Sequence, residues 1–239
     1  MSQAKGYFVT GTDTEVGKTL VSGALILKLR EAGFTALGFK PVAAGCYQDA
    51  QGKLLNEDVE TLRLASGLEP EQMELCPYLL EMAAAPHLAA EKQQQPLNLN
   101  TITQAYQQIC KQGDAVIVEG AGGFLIPLNT QEDLGDLAQS LGLPIILVVG
   151  MKLGCINHAL LTCEAIKSRH LKIAGWIANS LSTEMPLLDQ NIQTLISKIP
   201  APFLGCIPTL PKSLQKPNNA PYSIAALSFA AQHLSLPRP

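Results

Sequence analysis

The chain has 239 residues, 47% hydrophobic and only 15% charged, with a net charge of −3. A chain of this length buries about 70% of its unfolded surface without a staple. The composition excludes whole-chain disorder, collagen, a coiled coil and a generally basic protein that coats nucleic acid. In chain order, Tyr7 to Thr10 reads as a strand and Lys18 to Ala32 as a helix, with Leu20, Ala24 and Leu27 on one face and Gly33 beyond its end. Thr35 to Phe39 reads as a second strand stopped by Pro41, Asn56 to Ala65 as a short helix and Asn100 to Lys111 as another. The continuous apolar runs Ala115 to Val118 and Ile145 to Val149 have the character of strands buried on both faces. Asn157 to Arg169 reads as helix, Ile173 to Ala178 as strand, and Asp189 to Lys198 and Ser223 to His233 as helices. Gln93 to Pro96 reads as a surface loop and Pro200 to Pro221 as irregular chain.

Strands alternating with helices predict a doubly wound α/β fold, its mainly parallel sheet flanked by helices. Neither proline-rich break separates two cores, so one domain over residues 1–239 is expected. The start of the chain, Met1 to Gly6, has no apolar stretch of signal-peptide type. The longest apolar run, Leu143 to Val149, is far shorter than a bilayer span. Six cysteines (Cys46, Cys76, Cys110, Cys155, Cys163 and Cys206) form no zinc spacing and read as reduced thiols. The expectation is a soluble, cytoplasmic protein.

The segment with most chemical content is Gly11-Thr12-Asp13-Thr14-Glu15-Val16-Gly17-Lys18-Thr19, between a strand and a helix. In that context backbone N–H groups and the helix dipole face an anion, a lysine reaches the β and γ phosphates, and a hydroxyl ligates Mg²⁺. The usual spacing G-x-x-x-x-G-K-[ST] is off by one, with Thr12 at the first glycine position. No asparagine is followed by lysine, so a guanine-selecting N-K-x-D string is absent and ATP is favoured over GTP.

Glu119 ends a buried strand and is followed by Gly120, Ala121, Gly122 and Gly123. Ligands in an open α/β sheet bind outside such strand ends, where a carboxylate can hold Mg²⁺ and glycines let the backbone approach phosphate. Lys40, at the end of the second strand, faces the same cleft as Lys18 or is a strand-terminal surface lysine. Asp58 reads as an acid complementing the dipole of a first helical turn. Lys152 to Asn157 joins a strand to a helix and offers a second set of helix N–H groups, as an anion site or an ordinary cap. His87, His158, His170 and His233 show no metal-ligand spacing.

Taken together, Tyr7 to Thr19, Lys40-Pro41-Val42-Ala43, Val118 to Gly123, Lys152 to His158 and Gly175 to Asn179 resemble the dethiobiotin synthetase family, in family order. The loop with its extra residue is that family's form of the phosphate loop. The resemblance implies a P-loop NTPase-like ATP-dependent cyclo-ligase of biotin synthesis. Its substrates would be 7,8-diaminononanoate, CO₂ (or bicarbonate as its source) and ATP, with Mg²⁺ as cofactor. It implies catalytic roles for Lys40, Lys18 and Thr14, and Mg²⁺ ligands in Thr19, Asp58 and Glu119, which displaces the capping reading of Asp58. ATP would meet Glu15, Val16, Gly17, Lys18, Thr19, Leu20, Asp58, Glu119, Gly120, Ala121, Gly122, Asn179, Ser180, Pro208, Thr209 and Leu210. The diamine would meet Lys40, Ala44, Cys155, Ile156 and Asn157, the last three from the partner chain of a homodimer with the site at its interface. No nucleic acid or membrane partner is implied.

Two departures stand out. Ala44 occupies a position where the family usually carries serine, removing a hydroxyl, and Thr209 is smaller than the aromatic residue of some members. Competing readings are a nucleotide-gated switch of the partitioning or septum-positioning ATPase kind, or an amide-forming ligase of cobalamin synthesis. The first would carry an additional lysine near the start of the loop, where this chain has Gly11-Thr12-Asp13, and a membrane-seeking member would want a basic terminal helix. Ser223 to His233 contains no lysine or arginine. The second would need a glutamine-hydrolysing domain, for which no room is expected.

Overall fold

The apolar runs form the middle of one parallel sheet. The structure, a computed structural model, describes residues 5–70, 72–182 and 185–237; Met1 to Ala4, read as free of a signal-peptide stretch, lie outside these. The elements in chain order are β1 (Lys5–Gly11), α1 (Lys18–Glu31), β2 (Ala36–Phe39), β3 (Ala43–Ala44), β4 (Tyr47–Gln48), β5 (Leu54–Leu55), α2 (Glu57–Ser66), β6 (Leu79–Leu80), α3 (Pro86–Lys92) and α4 (Leu99–Cys110). They continue with β7 (Ala115–Glu119), α5 (Leu134–Leu141), β8 (Ile145–Met151), α6 (Cys155–Ser168), β9 (Ile173–Ser180), α7 (Leu188–Lys198), β10 (Phe203–Ile207) and α8 (Ile224–Gln232).

Six strands form the main sheet in the order β10-β9-β8-β1-β7-β2, and every pairing in it is parallel. Parallel strands need helical crossovers, which cover both faces and make the strands apolar throughout. β7 and β8 are accordingly buried along their whole length. Alternate residues of β8 serve the two layers. Leu147, Val149 and Met151 pack with Cys155, Ala159 and Cys163 of α6, while Ile146 and Val148 join the larger core around Phe8, Val21 and Leu25.

The predicted elements are present with boundaries moved by a residue or two. Several expectations need correction. Pro200 to Pro221 is not wholly irregular: Phe203–Ile207 is the edge strand β10, hydrogen-bonded to β9. Its positive-φ Gly205 (φ 138°) masks the strand signal. Leu27 is only half-buried, whereas Val21, Leu25 and Ile26 are fully buried. α1 is covered nearly all round, by the sheet, α2 and α8, so no single stripe describes it. Two helices, α3 and α5, were not anticipated. α5 begins at a capping box in which Asp133 Oδ1 accepts from Asp136 N at 3.0 Å and Asp136 Oδ2 accepts from Asp133 N at 2.9 Å. Arg169, just after α6, pairs with Asp133 and ties that cap to the neighbouring crossover.

Strands β2, β7 and β1 succeed one another on one side of the sheet, and β8, β9 and β10 on the other. The order of winding reverses between β1 and β8, and ligands of such sheets bind in the crevice above that point. The loop after β1 and the loop after β8 face each other across it.

Candidate active site

β1 runs into the phosphate loop, and α1 begins with Gly17 as its N-cap in the left-handed region (φ 89°). Only glycine enters that region without steric cost. A Cβ on Gly17 would also stand 2.1 Å from Asn179 Nδ2. That amide nitrogen donates to Val16 O at 2.9 Å. Val16 is fully buried, and a Cβ at Gly11 or at Gly150 would lie 2.6 or 2.7 Å from its methyl groups. Val16 is thus the key that seats the loop between β1 and β8, and two glycines make its slot. Thr14 and Glu15 stand exposed above it. Leu20 puts its side chain in the core, so what it can offer a phosphate is its backbone N–H in the first helical turn.

Lys18 is buried and donates to Asp13 O at 3.1 Å. Burial, then the like charge of Lys40, pushes its pKa down to about 8. Asp13 also accepts from Thr14 N at 2.8 Å and pairs with Lys152 Nζ at 2.8 Å. The bond from Lys152 leads the effects that hold its carboxyl below the ordinary range. The Asp13–Lys152 pair spans the crevice between β1 and β8, and sequence reasoning missed it. The two residues lie far apart in the chain, and nothing local marks them as partners.

Lys40, Glu119 and Asp58 converge from three elements. Phe39 pairs in register with Val118, so the next residues, Lys40 just past β2 and Glu119 at the end of β7, come side by side. Lys40 Nζ lies 2.6 Å from Glu119 Oε1, 2.8 Å from Asp58 Oδ2 and 3.3 Å from Gly120 O. Lys40 is 2% exposed and Glu119 0%, so Lys40 is a buried cation at the strand ends and not a surface lysine. Asp58 is aimed inward because Asn56 caps α2, its Oδ1 accepting from Asp58 N at 3.0 Å and Val59 N at 3.3 Å. Asn56 also donates to Ala44 O at 3.3 Å, linking half-buried Ala44 to the same helix start. Asp58 does sit in the first turn, as its pattern suggested, but its charge is spent on Lys40 and Thr19.

Thr19 Oγ1 lies 2.6 Å from Asp58 Oδ1 and 2.8 Å from Glu119 Oε1. One hydroxyl hydrogen serves one of these at a time, so three oxygens crowd around a point. Burial works to lower the Lys40 pKa, but the two carboxylates hold it above the ordinary lysine value. Burial likewise works to raise Asp58, yet the Lys40 charge keeps its carboxyl below the usual range. Glu119 is raised, by burial and by the Asp58 charge, against the pull of Lys40. Glu119 Oε2 is buried and has no hydrogen-bond partner among the described residues. These oxygens fit a hard divalent cation: neighbouring oxygens in an octahedral Mg²⁺ shell are about 2.9 Å apart, close to the spacings here.

On the far side, β9 ends in buried Asn179 and Ser180, and Ile207 pairs with Asn179 in register. That register carries Pro208, Thr209 and Leu210 over the end of β9, where Thr209 Oγ1 donates to Ser180 O at 3.3 Å. Beyond them Lys216 pairs with Glu57 at 2.7 Å and Tyr222 N donates to Thr61 Oγ1 at 3.0 Å. The segment after β10 therefore crosses back to α2 beside Asp58. Gly120, Ala121 and Gly122 follow Glu119, and a Cβ on Gly122 (φ 64°) would meet Thr14 Oγ1 at 3.5 Å. Cys155, Ile156 and Asn157 open α6 beyond Lys152; among the described residues none bonds to the Lys40 group. Cys155 holds a helix N-terminus, where thiols ordinarily acidify, but burial raises it.

A family model described as an AAA domain matches residues 5–217. An ATP-dependent dethiobiotin synthetase from Cellvibrio japonicus is 45% identical over 97% of this chain and 96% of its own. Those from Ralstonia nicotianae and Aromatoleum aromaticum are 50% and 49% identical, over 86% and 87% of this chain and 89% and 92% of theirs. The chain belongs to the dethiobiotin synthetase family. Among solved structures, the cell division protein MinD of Aquifex aeolicus superposes with a TM-score of 0.56 at 14% identity, covering 96% of this chain and 95% of that one. At that identity the likeness carries the P-loop NTPase-like fold alone. No helix among the described residues is long and apolar enough to cross a membrane.

Proposed function

We propose that this chain is an ATP-dependent dethiobiotin synthetase, a cytoplasmic single-domain cyclo-ligase that acts on 7,8-diaminononanoate and CO₂. The observation that carries the reading is the convergence of Lys18, Thr19, Lys40, Asp58 and Glu119 at one end of a parallel sheet, in a chain whose relatives bear that name.

One amine of the diamine adds to CO₂ and loses a proton, giving a carbamate. A carbamate oxygen attacks the γ-phosphorus of ATP, and the bond to the β–γ bridging oxygen breaks. The second amine attacks the carbamoyl carbon of the resulting mixed anhydride, closes the five-membered urea and expels phosphate. Phosphoryl transfer asks the protein for positioning and charge neutralisation more than for a covalent partner. In this reading the residues from Glu15 to Leu20 wrap the phosphates, with Lys18 leaving Asp13 O for the β,γ bridge. Lys40 meets the carbamate and the phosphoryl group in flight, and Thr14, whose Oγ1 faces Gly122, is assigned to the same step. Thr19, Asp58 and Glu119 would hold Mg²⁺, which when bound offsets the charge of the β and γ phosphates.

Gly120 to Gly122 let the backbone approach the nucleotide. Asn179, Ser180 and Pro208 to Leu210 border the base, and the Nδ2 of Asn179 is already engaged in seating the loop. Ala44 lies beside the diamine, and the α6 start (Cys155, Ile156, Asn157) receives its carboxylate from the partner chain of a homodimer. The test is phosphate release from Mg·ATP with bicarbonate, with and without the diamine, while the urea is followed by mass spectrometry. Urea and phosphate in equal amounts, both requiring the diamine, are expected. Hydrolysis without the diamine and without urea overturns the proposal.

A further inference from the structure

Lys40 is bonded to the same carboxylates that the metal would need. Its Nζ shares Glu119 Oε1, at 2.6 Å, with the Thr19 hydroxyl, and takes Asp58 Oδ2 at 2.8 Å. Two carboxylates this close, one of them fully buried, require a counter-cation. A divalent cation on Glu119 Oε1 would stand about 4 Å from an ammonium on the same oxygen. At that range two positive charges in a water-poor site repel strongly.

We infer that Lys40 is a placeholder: its ammonium and a divalent cation occupy the Thr19–Asp58–Glu119 site in turn. The inference rests on the ligand assignment proposed above and deepens it. Lys40 neutralises the carboxylates while the site lacks metal, so free Mg²⁺ competes with a covalently tethered cation and binds poorly. A metal–nucleotide complex brings phosphate contacts as well, and these offset the loss of the Lys40 pairs. The displaced ammonium is then released towards Gly120 and the cleft, where the anionic carbamate forms. Metal loading and delivery of the catalytic cation become one event, and the lysine is withheld from the cleft until nucleotide is present.

The test is calorimetric titration of the full chain with Mg²⁺ alone, without nucleotide. Lys40→Met, of similar length but unable to pair, should bind Mg²⁺ at least tenfold more tightly than the wild type, and its melting temperature should rise with Mg²⁺ while the wild type's does not. Lys18→Met removes a neighbouring positive charge without removing an occupant, and its gain should be under threefold. Equal gains in the two variants, or no gain in Lys40→Met, overturn the placeholder. If Lys40→Met does not fold, the wild type decides. In a crystal structure with Mg·ADP, Lys40 Nζ should stand more than 4 Å from Glu119 Oε1, and retention of that bond beside a bound metal overturns the inference. Metal bound elsewhere than on Thr19, Asp58 and Glu119 overturns the ligand assignment as well, whereas urea formation tests the overall reaction independently.

Discussion

Two ion pairs serve the same cleft under opposite conditions. Lys40 with Asp58 and Glu119 lies between β2, β7 and α2, with Lys40 and Glu119 buried (3% and 0% exposed) and Asp58 30% exposed. Lys152 with Asp13 crosses the mouth of the crevice with both side chains more than 40% exposed. Their distances are nearly equal, so geometry does not separate them. Burial does: a charge taken from water must be matched or it destabilises the fold, while a solvated pair contributes little. The inner cluster is an electrostatic commitment of the fold, and the outer pair is a latch that water can replace.

That contrast can be broken from either end. The largest effect belongs to Lys18→Ala. Removing the positive charge that the proposed reaction brings to the transferring group should lower kcat by about 10²–10³, and turnover within threefold of wild type would sink the phosphate-loop assignment. Next comes Lys40→Met, which leaves buried Glu119 without its cation; urea denaturation without metal should show a loss of about 3 kcal/mol. A loss below half of that would mean water reaches the cluster. Gly17→Ala should cost about 1–2 kcal/mol through its left-handed backbone and should weaken ATP binding, because its Cβ displaces Asn179. Combining it with Asn179→Ala should cost less than the sum of the two, read as a double-mutant cycle in ATP affinity. The smallest effect is expected for Lys152→Ala, under about 1 kcal/mol in stability and shrinking further in salt. A loss comparable with that of Lys40→Met would erase the distinction between the two regions.

Much of this cleft was legible in the residues. The run from Gly11 to Thr19 names its own chemistry because a phosphate loop is local: strand, glycine, lysine and hydroxyl follow one another. Glu119 was legible through its place at the end of an apolar run. Lys40 was ambiguous, since a lysine after a strand is equally suited to solvent, and only pairing of β2 with β7 turns it inward. Asp58 read as a dipole-complementing acid, and its inward aim depends on the Asn56 cap and on how α2 meets the sheet. Asn179 and Thr209 were assigned to the base by resemblance alone, while the β10 register that brings their segments together was hidden by Gly205 and the surrounding prolines.

The sequence by itself determined the α/β layering, the phosphate loop and the family, because periodicity, glycine placement and contiguous motifs are written within a few residues. The tertiary structure decided which charges share a site. Lys40, Asp58 and Glu119 lie on separate elements, as do Asp13 and Lys152. Strand order brings both sets together, but only the inner one is held by burial, which leaves its charges no other partner, whereas water can replace the outer pair.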